Sequence, residues 1–177
     1  MVIIPRLKAT FTLSLARPKE YTSLGNMPLK EEGVVMKEGE NYIWDNYEKS
    51  LIMSTYLLKW VVSKYSNAES LTKRNITVRA YYGKNKTKSL LYAAKSGAKI
   101  LDYLEKVLNM ECQLPKMDMV AVPFFRTRTL HEWGLMSFYY TFLLYEEEYN
   151  THKYNMDQTI SHSLVHQWSG NLVTSAW

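Results

Sequence analysis

The stretch ISHSLVHQWSGNLVT, residues Ile160–Thr174, decides how the rest of the chain is interpreted. His162 and His166 stand four residues apart in a segment of helical apolar spacing, so both imidazoles are expected on one helix face, about 5–6 Å apart at Cβ. A single Zn²⁺ can bridge two imidazoles placed in this way. The spacing is also that of two unrelated helical histidines, and the neighbouring segments have to decide between these interpretations.

Two helices are predicted. In the final one, Asp157 or Thr159 would cap a helix that runs on through Leu172, and the polar residues 146–155 before it predict a loop or a frayed helix end. Upstream, Lys88–Met110 carries apolar residues at spacings of three and four, which predicts one long amphipathic helix.

The remaining pattern predicts β structure, with the polar residues 66–75 as a domain boundary. Lys8–Leu15 alternates polar and apolar residues, as a half-buried strand does. Tyr56–Val62 is compatible with a buried strand or a helix. The other strand candidates are Val34–Met36, Tyr42–Trp44, Ile76–Tyr82, Met117–Val122 and Leu130–Tyr140, the last one interrupted by Gly134.

Composition excludes several classes of protein. Of the 177 residues, 46% are hydrophobic and 22% charged, as in an ordinary globular domain, and the single Cys112 excludes an internal disulfide. No stretch approaches the ~18 consecutive apolar residues of a membrane helix. The net charge of +5 is spread along the chain, and the short basic patch Lys84–Lys88 predicts a solvated loop, so no nucleic-acid partner is expected.

The residues that follow the histidines resemble the zinc helix of the aminopeptidase N-like zinc metallopeptidases (gluzincin aminopeptidases), whose pattern is H-E-x-x-H-Q-W-x-G-N-x-V-T. The matching positions are Gln167, Trp168, Gly170, Asn171, Val173 and Thr174. Further segments resemble motifs of that family in the family's order: PRLKATFTLSLARP with SLGNMP (Pro5–Pro18 and Ser23–Pro28), MSTYLL (Met53–Leu58), LPKMDMVAVPFF (Leu114–Phe125) and LHEWGLMSFYY (Leu130–Tyr140).

The resemblance implies an α+β fold. Residues 1–75 would be the C-terminal strands of a β-sandwich or saddle domain, and residues 76–177 the first part of a thermolysin-like catalytic domain. It also implies zinc as cofactor, peptide N-termini as partners, and release of N-terminal residues from peptides. Members of the family are often membrane-anchored or extracellular, where the sequons at Asn75 and Asn85 could carry sugars.

On the metal side, only His162 and His166 match the family's catalytic residues. Ser163 occupies the position of the general-base Glu, and a neutral hydroxyl cannot accept a proton from water at pH 7. The family's third ligand is a Glu on the next helix, and its transition-state tyrosine lies further on; no residue from Gln167 to Trp177 is acidic. Two ligands alone predict weak zinc binding or none.

The substrate side departs from the family as well. The G-A-M-E-N strand falls on Arg128–Glu132, where Leu130, His131 and Glu132 occupy the last three positions and His131 replaces the amine-binding Glu. Because neighbouring side chains of a strand face opposite ways, Glu132 is not expected to substitute. His131 could be a third zinc ligand or a histidine facing an empty cleft. Glu146–Glu148 could likewise help to rebuild the site, or form a solvated loop.

These residues predict a family member that is inactive or nearly so. Two alternatives stay open: a pseudoenzyme that binds peptides without cleaving them, and a gene fragment without independent function, which would fold poorly because the helices that cover the zinc helix are missing.

Overall fold

The computed structural model describes residues 7–35, 41–83, 86–124, 126–145 and 150–174. Some sequence predictions lie wholly or partly outside these ranges, namely those on Lys84, Asn85, Glu146–Glu148 and the end of the candidate strand Val34–Met36.

The first part of the chain folds into short antiparallel strands: β1 (Lys8–Ala9), β2 (Ser14–Pro18), β3 (Thr22–Gly25), β4 (Leu29–Val35), β5 (Tyr42–Tyr47), β6 (Met53–Ser54) and β7 (Trp60–Ser63). They form a three-stranded sheet of order β2-β5-β4 and the pairs β1-β6 and β3-β7. The predicted strand Lys8–Leu15 is thus two short strands, because its ends pair with different partners. Tyr56–Val62 contains the end of a 3₁₀ turn, Thr55–Leu57, and the start of β7.

The second part is a five-stranded sheet with two helices. Its elements are β8 (Ser66–Leu71), β9 (Thr77–Tyr82), α1 (Thr87–Leu108), β10 (Lys116–Val122), β11 (Thr129–Leu130), β12 (Leu135–Tyr139) and α2 (Asn150–Val165). The strand order is β11-β12-β10-β9-β8, with β9, β10 and β12 parallel and both edge strands antiparallel. Mixed sheets with two helices confirm the α+β class, whereas the saddle and thermolysin-like description stays a prediction.

Helix α1 packs on this sheet as its apolar spacing predicts. Leu90, Ala94 and Leu101 are fully buried, and Gly97 allows close contact, since a Cβ there would lie 3.0 Å from Met119 Cε. The helix ends at Asn109, whose positive φ of 50° is the left-handed conformation of a helix C-cap.

The prediction for the last helix was wrong at both ends. α2 begins at Asn150 and ends at Val165, so Asp157 and Thr159 lie inside it. Asp157 accepts a hydrogen bond of 2.8 Å from the Tyr92 hydroxyl and another from Ser96, both on α1. Met156, which lies next to Asp157 in the polar first part of α2, is buried in the core. Packing against α1 therefore stabilises the first, polar half of α2, which the sequence alone does not predict as helix.

Both parts of the chain share one hydrophobic core. Met27, Met53 and Leu57 from the first part belong to the same buried cluster as Val78 and Leu90 from the second. β8, before residue 75, pairs along its whole length with β9, after it. The division into two domains at residue 75 stays a prediction. In the part of the chain that the structure describes, no helix has both the length and the apolarity of a membrane span.

Asn26, in the turn after β3, ties three segments together. Its amide nitrogen donates to the carbonyl oxygens of Leu57 at 2.8 Å and Trp133 at 2.7 Å. Its amide oxygen accepts from the backbone N–H of Lys59 at 2.8 Å. The side chain is 4% exposed, so all three backbone groups depend on it for a hydrogen bond.

We expect Asn26→Ala to lower the free energy of unfolding by about 3 kcal/mol, because it leaves buried backbone groups without partners. Urea unfolding measures this loss. Asn67→Ala, at an exposed position of β8, is the matched control and should change the stability by less than about 0.5 kcal/mol. Equal losses in the two variants would contradict the assignment.

Candidate metal centre

Three histidines meet where the end of α2 lies against the turn that follows β11. One ring nitrogen each from His131, His162 and His166 lies within 4.8 Å of the other two. Among the described residues this is the one group of three or more His, Cys, Asp or Glu side chains with such spacing. The sequence predicted His162 and His166 as a pair and left His131 open as a third ligand; in the structure the three rings lie together.

His162 and His166 have the geometry of a ligand pair. Their Nε2 atoms are 3.3 Å apart, and their rings are nearly perpendicular, at 78°. His166 Nδ1 lies 3.0 Å from the carbonyl oxygen of Ser169, which can only accept, so the proton is on Nδ1 and the Nε2 lone pair faces His162. Two ligands on a tetrahedral zinc with Zn–N bonds of about 2.0–2.1 Å are about 3.3 Å apart. The pair therefore fits a zinc ion.

His131 lies just beyond β11, which ends at Leu130. Its ring stacks on His166 with centroids 4.3 Å apart and planes 10° from parallel, and Thr129 Oγ1 lies 3.2 Å from its Nε2. Asn171 donates to the backbone oxygen of His131 at 2.7 Å. Such a ring stack contributes about 0.5–1.5 kcal/mol.

The surroundings keep His131 uncharged. Burial, and then the positive charges that His166 and His162 can carry, lower its pKa to about 4. Its Nδ1 atom is buried and has no hydrogen-bond partner. A neutral imidazole with an unpaired nitrogen is the form in which histidine binds metals.

Ser163 is turned into its own helix. It is fully buried, and its hydroxyl donates to the carbonyl oxygen of Thr159 at 2.8 Å. The position after the first zinc histidine thus carries a hydrogen-bonded, neutral group and no proton acceptor for a metal-bound water.

That Glu132 cannot substitute for the amine-binding Glu stays a prediction. The strand on which it was based ends at Leu130, and Trp133–Gly134 form a turn, so the alternation of side chains along a strand does not apply to His131 and Glu132. Leu130, His131 and Glu132 line one cavity of about 260 Å³ together with Tyr56, Leu57, His166, Gly170 and Asn171. Lys59 donates to Glu132 Oε1 at 2.8 Å, while Glu132 Oε2 is buried and has no hydrogen-bond partner.

Two residues that match the family motif, Gln167 and Asn171, hold the segment His131–Gly134 in place. Gln167 Oε1 accepts from the backbone N–H of Gly134 at 3.1 Å, and Asn171 bonds to His131. Lys59 was not predicted as a partner of Glu132; the one signal in the sequence is a single charge inside the apolar run Tyr56–Val62.

Comparison with known families assigns the chain. The model of the peptidase M1 N-terminal domain matches residues 4–57, and the model of the peptidase family M1 domain matches residues 92–177. The chain belongs to the M1 aminopeptidase family. This confirms the resemblance seen in the motifs. The family is zinc-dependent, and among the described residues His131, His162 and His166 are the group whose spacing could hold a metal ion.

The relatives are aminopeptidases from animals and plants. The chain is 36% identical to glutamyl aminopeptidase from Bos taurus over 177 residues, which cover 98% of this chain and 18% of that protein. It is 38% identical over 175 residues to aminopeptidase M1 from Arabidopsis thaliana, covering 98% of this chain and 20% of that protein. The chain thus spans about a fifth of the length of the curated relatives that it matches.

Gly134 is expected to tolerate no side chain. Its φ is +76°, and a Cβ there would lie 2.6 Å from the backbone oxygen of Asn26. Gly134→Ala should therefore lower the free energy of unfolding by at least about 2 kcal/mol. Gly83→Ala is the matched control, because a Cβ there meets no atom within 4 Å. Thermal or urea unfolding compares them, and similar stabilities would refute the strain at Gly134.

Proposed function

We propose that this chain is a metal-binding, peptide-binding member of the M1 family that does not hydrolyse peptides. The observation that carries this proposal is Ser163, a buried hydroxyl bonded to its own helix at the position where the family has its general base. His162 and His166, by contrast, have the separation of two zinc ligands.

Ser163 and His131 stand where peptide hydrolysis needs a general base and an amine-binding carboxylate. A bound zinc would supply a Lewis acid and acidify a water molecule. General-base catalysis typically contributes ~10²–10⁴ in rate, and Ser163 cannot supply it. His131, at the position of the amine-binding Glu, cannot form an ion pair with the ammonium group of a peptide N-terminus. Both losses oppose exopeptidase chemistry.

The cavity beside the histidines favours peptide binding. Glu132 Oε2 is a buried acceptor without a partner in the wall of this 260 Å³ space. An ammonium group can satisfy such an oxygen, although Lys59 already neutralises part of the carboxylate charge. We therefore propose that this chain binds peptides by their N-termini, the substrate class of the family.

Hydrolysis is tested with the zinc-loaded chain and an aminoacyl-anilide. We expect no rate above that of zinc in buffer, for the chain and equally for Ser163→Ala, which removes only the bond to Thr159. A rate that a chelator abolishes and that His162→Ala also abolishes would contradict the proposal.

Peptide binding is tested with a labelled pentapeptide bearing a free N-terminus and its N-acetylated form. We expect the free form to bind at least about tenfold more tightly, and Glu132→Gln to remove the preference, because a charged hydrogen bond is lost. Equal affinities, or no binding, would refute the amine-binding role. A cooperative thermal transition of the chain is expected, and its absence would favour a fragment without independent function.

A further inference from the structure

We infer that His131 is a third metal ligand, so that His131, His162 and His166 bind one transition-metal ion through three imidazoles. The inference rests on the metal pair of the proposed function and adds to it a ligand from outside α2. By resemblance, position 131 is that of the family's amine-binding Glu; in this chain its side chain would bind the metal ion instead.

The first observation is that the ring of His131 lies beside those of His162 and His166. His131 is 31 residues from His162 along the chain, and yet one of its ring nitrogens lies within 4.8 Å of a ring nitrogen of each partner. The backbone there is held by the segment that follows α2, since Asn171 donates to the His131 carbonyl oxygen at 2.7 Å. The same segment that carries the histidine pair therefore holds the third imidazole beside it.

The second support is the pattern of hydrogen bonds at the rings. Metal-ligating histidines nearly always have their other nitrogen bonded to a protein acceptor, which fixes the tautomer. His166 follows this pattern, with Nδ1 on Ser169 and Nε2 free for an ion. In His131 the two nitrogens exchange these parts: Nε2 bonds to the Thr129 hydroxyl, and Nδ1 is buried without a hydrogen-bond partner. An ion would satisfy this orphaned nitrogen.

Ligation requires one local movement. The rings of His131 and His166 are 10° from parallel, and two parallel imidazoles cannot both direct their in-plane lone pairs at one ion. The ring of His131 must therefore turn about its Cβ–Cγ bond when the ion binds, and metal binding replaces the stack. Three neutral imidazoles suit Zn²⁺ and also Cu²⁺ or Ni²⁺.

The test is the zinc affinity of the full chain, measured by competition with a chromophoric chelator. His131→Phe keeps an aromatic ring for stacking but has no lone pair, and we expect it to weaken zinc binding at least about tenfold. His152→Ala, also on α2 but outside the cluster, is the matched control and should bind as the unaltered chain does. The thermal midpoint of each metal-free variant verifies that it is folded.

The outcomes separate this inference from the proposed function. If His131→Phe binds zinc as tightly as the unaltered chain while His162→Ala does not, the inference is wrong and the metal pair stands. If the unaltered chain binds no zinc, both are wrong. X-ray absorption of the zinc-loaded chain needs no variant: three imidazoles per zinc support the inference and two overturn it.

Discussion

The arrangement of the site depends on how the turn Trp133–Gly134 is held by three separate segments. Asn26 donates to the Trp133 carbonyl oxygen, Lys116 donates to that of Gly134 at 2.9 Å, and Gln167 accepts from the Gly134 N–H. Lys116 is itself buried and also bonds to the backbone oxygen of Gly25. The first strands, the central strand β10 and the histidine segment thus converge on one turn, which only a glycine of positive φ can form here.

This convergence determines what the site can do chemically. β11 ends at Leu130 and the turn follows Glu132, so that His131 and Glu132 line the same cavity and a ring nitrogen of His131 lies within 4.8 Å of those of His162 and His166. Nitrogen donors are thereby concentrated where the family combines histidines with carboxylates. The same region contains no base at position 163. The proposed metal binding without peptide hydrolysis rests on these residues.

The sequence predicted those features that depend on local periodicity. Helix α1 and strands β9 and β10 were predicted because their apolar residues repeat at 3.6 or form short buried runs. The start of α2 was missed because Met156 and Asp157 are stabilised by contacts with α1, more than 50 residues away. His131 could not be placed for a similar reason: its position depends on Asn171, 40 residues later. The motif predicted His162 and His166 as metal ligands and left His131 open as a third, while the proximity of the three rings and the Lys59–Glu132 ion pair depend on tertiary contacts.

The most direct test of this account is the ¹⁵N NMR spectrum of the histidine rings during a zinc titration of the full chain. The account predicts that His162 and His166 coordinate through Nε2 and His131 through Nδ1, with all three signals changing together up to one zinc per chain, and with His152 unchanged. Ring signals of His131 that stay as in the metal-free chain while His162 and His166 bind zinc would contradict it.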